Sequence, residues 1–168
     1  MPPTPWWRPL PIEATLHERY PVWAVVQVRY GDLDTLGHAN NAVYLSYLEM
    51  GRVAYLRQRL AVDHPGGYSF VVARVEIDYL RPAFLGDLIA VALKPVHVGR
   101  SSFTYGYCLY HGETGQPIAQ ARSVQVYWDA RAGRSHPLPD SWRTALEADM
   151  ARFGIEVDCA SLTPTSTS

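Results

Sequence analysis

The residues best suited to chemistry sit together in Tyr30-Gly31-Asp32-Leu33-Asp34-Thr35-Leu36-Gly37-His38-Ala39-Asn40-Asn41. A carboxylate there can attack an activated carbonyl or take a proton from water. The tetrahedral oxyanion that results needs donors aimed at it. Such donors are ready-made at a helix start, where the first backbone N–H groups have no intrahelical partner and the dipole favours negative charge. Each residue also has a structural use. Asp32 and Asp34 are turn and cap formers, and Asn40 and Asn41 suit a helix start. His38 can hold the loop by hydrogen bonding, and Gly37 answers to backbone geometry.

The flanking elements fit that placement. Trp23 to Tyr30 alternates apolar and polar residues and reads as a half-buried strand. Asn41 to about Leu60 reads as a helix. Val43, Tyr44, Tyr47, Leu48, Met50, Gly51, Ala54 and Tyr55 share one arc, and Glu49, Arg52, Arg57 and Arg59 lie opposite. With so little charge in its first turns, this helix should be buried over most of its circumference. Gly51 costs about 1 kcal/mol against alanine, and close approach of another backbone, such as a sheet, would account for it. His64-Pro65-Gly66-Gly67 breaks the chain. Strands follow at Phe70–Leu80, Leu88–Val98, Ser102–Tyr110 and Ile118–Trp128, with Pro95 marking an edge or a bulge. A short helix, capped by Asp140 or Ser141, runs to about Phe153. Strands grouped apart from helices argue an α+β fold. The organisation expected is a proline-rich arm over 1–20, one domain over 21–155 and a flexible tail over 156–168. Proline should block regular structure in the arm, and Trp6 and Trp7 either dock on the domain or stay loose.

Composition bounds the function. A chain of 168 residues with 48% hydrophobic content suits one well-packed domain. A net charge of −1 gives no push toward nucleic acid or an acidic membrane. No apolar run approaches a membrane span, the first residues lack a signal-peptide core, and a cytoplasmic location is expected. Cys108 lies in an apolar run and Cys159 in the polar tail; they make no disulfide framework, and both are expected as reduced thiols. The histidines lack ligand spacing, so no metal site and no cofactor are expected. There is no G-x-S-x-G elbow and no phosphate-binding glycine loop.

Asp32-Leu33-Asp34-Thr35-Leu36-Gly37-His38-Ala39-Asn40-Asn41-Ala42-Val43-Tyr44 resembles the signature D-x-D-x-x-G-H-V-N-N-x-x-Y of hotdog-fold acyl-CoA thioesterases of the 4-hydroxybenzoyl-CoA thioesterase type. Ala39 replaces the usual valine. Tyr79-Leu80-Arg81-Pro82-Ala83-Phe84-Leu85-Gly86-Asp87 resembles the family's segment after its second strand, and the order of elements matches over roughly 22–130. The resemblance implies an antiparallel sheet of five or six strands curled around the long helix. It implies a homodimer joined edge to edge, often paired into a homotetramer, with acyl-CoA or acyl-carrier thioester sites at the subunit interface.

On that resemblance Asp34 is the catalytic carboxylate, as nucleophile or general base. The Asn41 backbone N–H is the oxyanion donor, joined by a second N–H from the partner chain, and His38 assists or orients. Leu36 stands where plant acyl-carrier-protein thioesterases carry asparagine, so their full arrangement is not reproduced. Tyr44 is carried as a substrate contact, although a tyrosine on this face packs in a core by default. Arg100 and Ser101 begin a strand in a segment that contacts the nucleotide of CoA in some relatives; a solvated turn is the plainer reading. Two rival functions remain on this fold: a non-catalytic acyl-thioester binding or sensing module, and a dehydratase, whose usual helix motif differs.

Overall fold

The computed structural model describes residues 8–62 and 70–166; Trp6, Trp7 and the His64–Gly67 breaker lie outside them. The described elements are α1 (Glu13–Arg19), β1 (Val22–Gln27), α2 (Tyr44–Arg59), β2 (Phe70–Tyr79), β3 (Leu88–Val98), β4 (Ser102–His111), β5 (Pro117–Asp129), β6 (Arg134–Ser135) and α3 (Asp140–Phe153). Short 3-10 turns at Tyr30–Asp32 and Asn41–Val43 join β1 to α2.

All strand pairs are antiparallel, in the order β1-β3-β4-β5-β2, with β6 on the end of β5. β2 pairs with β5 and not with β3, the strand that follows it in sequence. The connection from Leu80 to Asp87 carries the chain to the other side of the sheet, and Phe84 bridges His38 on the way. β1 and β2 are left as edges. Pro95 sits past the last β1 partner of β3, where its missing N–H costs no ladder bond on that side, and the register with β4 shifts between Pro95 and His97.

The concave face wraps α2. Tyr44, Tyr47, Leu48, Gly51, Arg52, Tyr55 and Leu56 are buried, a stripe at helical spacing. Two assignments on the helix wheel are reversed. Met50 is exposed, well off the centre of this stripe, while Arg52 lies at its margin and is buried. The Arg52 stem can lie along the core because its guanidinium donates to the Tyr107 hydroxyl at 3.4 Å. Leu45, Ser46, Glu49 and Met50 face outward, so the helix is buried on one side only. At Gly51 an added Cβ would stand 3.0 Å from Val91 Cγ1 and 3.3 Å from Leu93 Cδ2, so sheet side chains rather than backbone require the glycine. The far end of α2 is tied to α3 through Asp149, which accepts from Tyr55 Oη at 2.6 Å and from Arg59 Nε at 2.9 Å.

The convex face explains why β3 is buried on both sides from Leu88 to Val96. Leu10, Ile12, Leu16 and Tyr20 from the N-terminal segment and Leu162 from the C-terminal segment form a second apolar cluster with Leu88, Ala90, Ala92, Cys108 and Tyr110. Three expectations are corrected. Residues 13–19 are helical despite the prolines around them, because the prolines stop short of Glu13 and Leu16 gains a buried site. The C-terminal segment is not frayed through Thr165: the Leu162 N–H donates to the Gly115 carbonyl and the Thr165 N–H to the Pro11 carbonyl, both at 2.8 Å. The cysteines are not free thiols: Cys108 and Cys159 are joined, with Cα atoms 5.5 Å apart, since the tail lies across β4. Among the described residues no helix is long and apolar enough to cross a membrane.

Candidate active site

The segment from Tyr30 to Tyr44 is held by its own polar side chains. Asp32 is buried, and its carboxylate accepts from the Arg29 N–H at 3.0 Å, the Arg29 guanidinium at 3.1 Å and the Tyr47 hydroxyl at 2.8 Å. Burial alone would raise its pKa; the hydrogen bonds from Arg29 and Tyr47 outweigh that and hold it below the ordinary value. Asp32 is therefore an anchor between the 3-10 turn and α2.

Asp34 begins a tight turn. Its N–H donates to the His38 carbonyl at 3.0 Å and its carbonyl accepts from the Gly37 N–H at 3.1 Å. Gly37 has φ +84°, where side chains are strained. Asp34 Oδ1 accepts from the Leu36 N–H at 2.8 Å. Oδ2 faces His38 Nδ1 at 3.6 Å, a charge-pair distance longer than a hydrogen bond. The two side chains keep 26% and 33% of their surface. The His38 ring meets Phe84 edge-on at 6.3 Å, and the Ala39 N–H donates to the Ala83 carbonyl at 2.8 Å.

At the helix start nearly every backbone group is committed. The Asn40 N–H donates to the Asp32 carbonyl at 2.8 Å, and Asn40 Oδ1 caps the Ala42 N–H at 2.9 Å. The Val43 N–H donates to the Asn40 carbonyl at 3.0 Å. The Asn41 carbonyl accepts from the Tyr79 hydroxyl at 2.8 Å. Among the described residues the Asn41 N–H alone in this run has no acceptor.

Asp34, His38 and Asn41 thus share one short segment. Tyr44 lies just behind it, 2% exposed, with its ring 5.1 Å from Tyr79 and 5.5 Å from Tyr47. Burial pushes its hydroxyl up to about 12. Arg100 and Ser101 are elsewhere: they form the β3–β4 turn, at the far end of β3 from Asp87 and Phe84, about 30 Å away by strand rise. There the Ser101 carbonyl accepts from the Tyr127 N–H at 2.7 Å and the Arg100 carbonyl from the Leu138 N–H at 3.0 Å. An open cavity of about 400 Å³ beside them is lined by Tyr127, Trp128, Asp129, Ala130, Arg131 and His136. Among the described residues no three metal-ligating side chains converge. The sequence reading missed Tyr79 as a site residue; its signal was its place at the head of the second family-like segment.

Residues 28–146 match the model of the thioesterase-like superfamily. The chain belongs to that superfamily. It is 28% identical over 125 residues to a 1,4-dihydroxy-2-naphthoyl-CoA hydrolase of Synechococcus elongatus, covering 71% of this chain and 90% of that one. It is 29% identical over 124 residues to the long-chain acyl-CoA thioesterase FadM of Escherichia coli, covering 73% and 94%. A thioesterase of Thermus thermophilus, solved with coenzyme A and Zn, is 41% identical and superposes with a TM-score of 0.68, covering 80% of this chain and 98% of that one. The curled antiparallel sheet around α2 is the hotdog fold, and the protein is a thioester hydrolase.

Proposed function

We propose that this thioesterase hydrolyses an acyl-CoA or acyl-carrier thioester at a site carried by Asp34, His38 and Asn41 and completed by a second copy of the chain. The observation that carries the reading is the Asn41 N–H: the Asn40, Ala42 and Val43 N–H groups beside it are committed, and among the described residues it is the one left to receive a carbonyl oxygen at this helix start. Asp34 Oδ1 is engaged by Leu36, and Oδ2 is the oxygen available for reaction. Oδ2 either attacks the thioester carbon, giving a mixed anhydride that water then opens, or takes a proton from water as water attacks. His38 orients that carboxylate, and the thiolate of CoA leaves. A second N–H for the oxyanion would come from the partner chain.

The second copy also accounts for Arg100 and Ser101. β2 is an edge strand with Val71, Val72 and Tyr79 exposed. Antiparallel pairing of two β2 edges sets the Tyr79 end of one against the Phe70 end of the other. Phe70 pairs with Tyr127, which bonds Ser101. The Arg100–Ser101 turn and Arg131 of the second copy would then flank the Asp34 segment of the first, where they can take the phosphates of CoA. Tyr30 and Leu36, 83% and 76% exposed, and Phe84 and Leu85 give that segment an apolar rim for the acyl group and the second copy.

Asp34→Asn, assayed by thiol release over short, long and aromatic acyl-CoA substrates, should lower kcat by about 10²–10⁴-fold with the oligomer and melting curve unchanged. A fully active variant would remove Asp34 from the chemistry.

A further inference from the structure

We infer that Tyr79 is a positioning residue for the oxyanion donor, a role that rests on the proposed site. Tyr79 is the last residue of β2, and its hydroxyl donates to the Asn41 carbonyl at 2.8 Å, the usual length of a good O–H···O bond. The peptide unit between Asn41 and Ala42 is therefore gripped at both ends: Tyr79 holds its carbonyl, and Asn40 Oδ1 holds its N–H at 2.9 Å. One unit earlier, the Asn40 carbonyl accepts from Val43, and among the described residues the Asn41 N–H has no acceptor. The Asn40–Val43 bond holds one end of the plane that carries this N–H, and rotation about Asn41 is its remaining freedom. With the following unit locked, the rotation is suppressed before any substrate arrives, which is what an oxyanion donor requires.

The Tyr79 ring is itself placed. It packs edge-on against Tyr44 at 5.1 Å, and Tyr44 is clamped in the core beside Tyr47, whose hydroxyl bonds Asp32. One chain of contacts thus runs from buried Asp32 through three tyrosines to the Asn41 carbonyl. The last member stands on the edge strand, so the sheet edge and the donor are mechanically joined. Without the hydroxyl the ring contacts remain, and only the grip on the Asn41 carbonyl is lost.

Tyr79→Phe separates these roles. In the full-length protein it should lower kcat for a good acyl-CoA substrate about three- to tenfold, the range of one neutral hydrogen bond, while KM, the melting temperature and the oligomer stay as in the wild type. The carbonyl carbon resonance of selectively labelled Asn41 should shift between the two proteins. A drop in kcat at constant KM together with that shift supports the assignment. Unchanged kcat in an active protein overturns it and leaves the thioesterase site standing. A rise in KM or a fall in melting temperature in step with activity also overturns it, since Tyr79 would then act in binding or folding. If the wild type hydrolyses no thioester, the proposed site fails first and this role with it.

Discussion

Reduction of Cys108–Cys159 should loosen the outer face of the sheet while leaving the site side folded. The two cysteines are 51 residues apart in sequence. Closing a loop of that length removes about 14 cal/mol/K of entropy from the unfolded chain, or about 4 kcal/mol at 25 °C. In a domain of this size each kcal/mol moves the midpoint by about 2–4 °C, so reduction should lower Tm by about 8–16 °C. The tail has few other holds. Leu162 is buried, Val157 and Cys159 are partly so, the backbone bonds are those to Gly115 and Pro11, and side-chain bonds join Thr165 to Pro11, Gln120 to Val157 and Thr15 to Thr163. Ordering each tail residue costs about 1 kcal/mol or more, whereas a buried leucine contributes about 1.5–3 kcal/mol. The covalent bond is therefore the largest single contribution to keeping the tail docked. The assay is thermal unfolding with and without a dithiol reductant, with Cys159→Ser as the permanent reduced form. Hydrogen exchange at Leu162 and Thr165 reads tail release directly. Oxidised and reduced proteins melting within about 2 °C of each other, with equal tail exchange, would refute the reasoning.

Asp32 predicts an acid-side effect. Its folded pKa lies below the unfolded one, so the unfolded chain binds the proton first. Its stabilisation is full above the unfolded value of 3.8 and is lost as pH falls through the lower folded value. Urea midpoints from pH 7 to 3 should fall less steeply in Asp32→Asn, which starts about 1–3 kcal/mol less stable. Asp149→Ala should cost about 2–4 kcal/mol in chemical denaturation, because Tyr55 keeps a buried hydroxyl without its acceptor; Arg59, 39% exposed, falls back on water. Gly115→Ala should free the tail even when the disulfide is intact, since its Cβ would stand 2.1 Å from the Leu162 carbonyl oxygen at φ +72°. Exchange at Leu162 would rise toward that of the reduced protein.

Local pattern was enough for much of the fold. β3 begins and ends at the expected residues because an apolar run bounded by Gly86-Asp87 and Gly99 leaves one choice. The helix was legible from its apolar arc, but Gly51, expected to mark a close backbone approach, meets the Val91 and Leu93 side chains instead. What depends on distant partners was not legible. The helix wheel placed Arg52 outside because it cannot show the Tyr107 hydroxyl that receives its guanidinium. Cys108 and Cys159 looked unrelated because the tail's path over β4 is set by Leu162 finding a site beside Leu10 and Leu88. The pairing of β2 with β5 rather than β3 is likewise a matter of where the Leu80–Asp87 connection crosses. Tyr79 belongs here too: alternation placed it on a strand, but only the fold brings its hydroxyl to Asn41.

The site segment is then best understood by subtraction. Asp32 closes the preceding turn and receives Tyr47, Gly37 allows the Asp34–His38 turn, Asn40 caps Ala42, and Tyr79 takes the Asn41 carbonyl. At the helix start the Asn40, Ala42 and Val43 N–H groups are used, and among the described residues the Asn41 N–H is left without an acceptor, while Asp34 Oδ2 meets only His38 at 3.6 Å. A sequence merely suited to starting a helix would need the cap alone. The extra constraints make sense if a reactive carbonyl must be met by a donor already in place. On the proposed reading a second copy would complete the site: the turn at Arg100 stands at the far end of the same sheet, and a second sheet running the opposite way would bring such a turn to the Asp34 end.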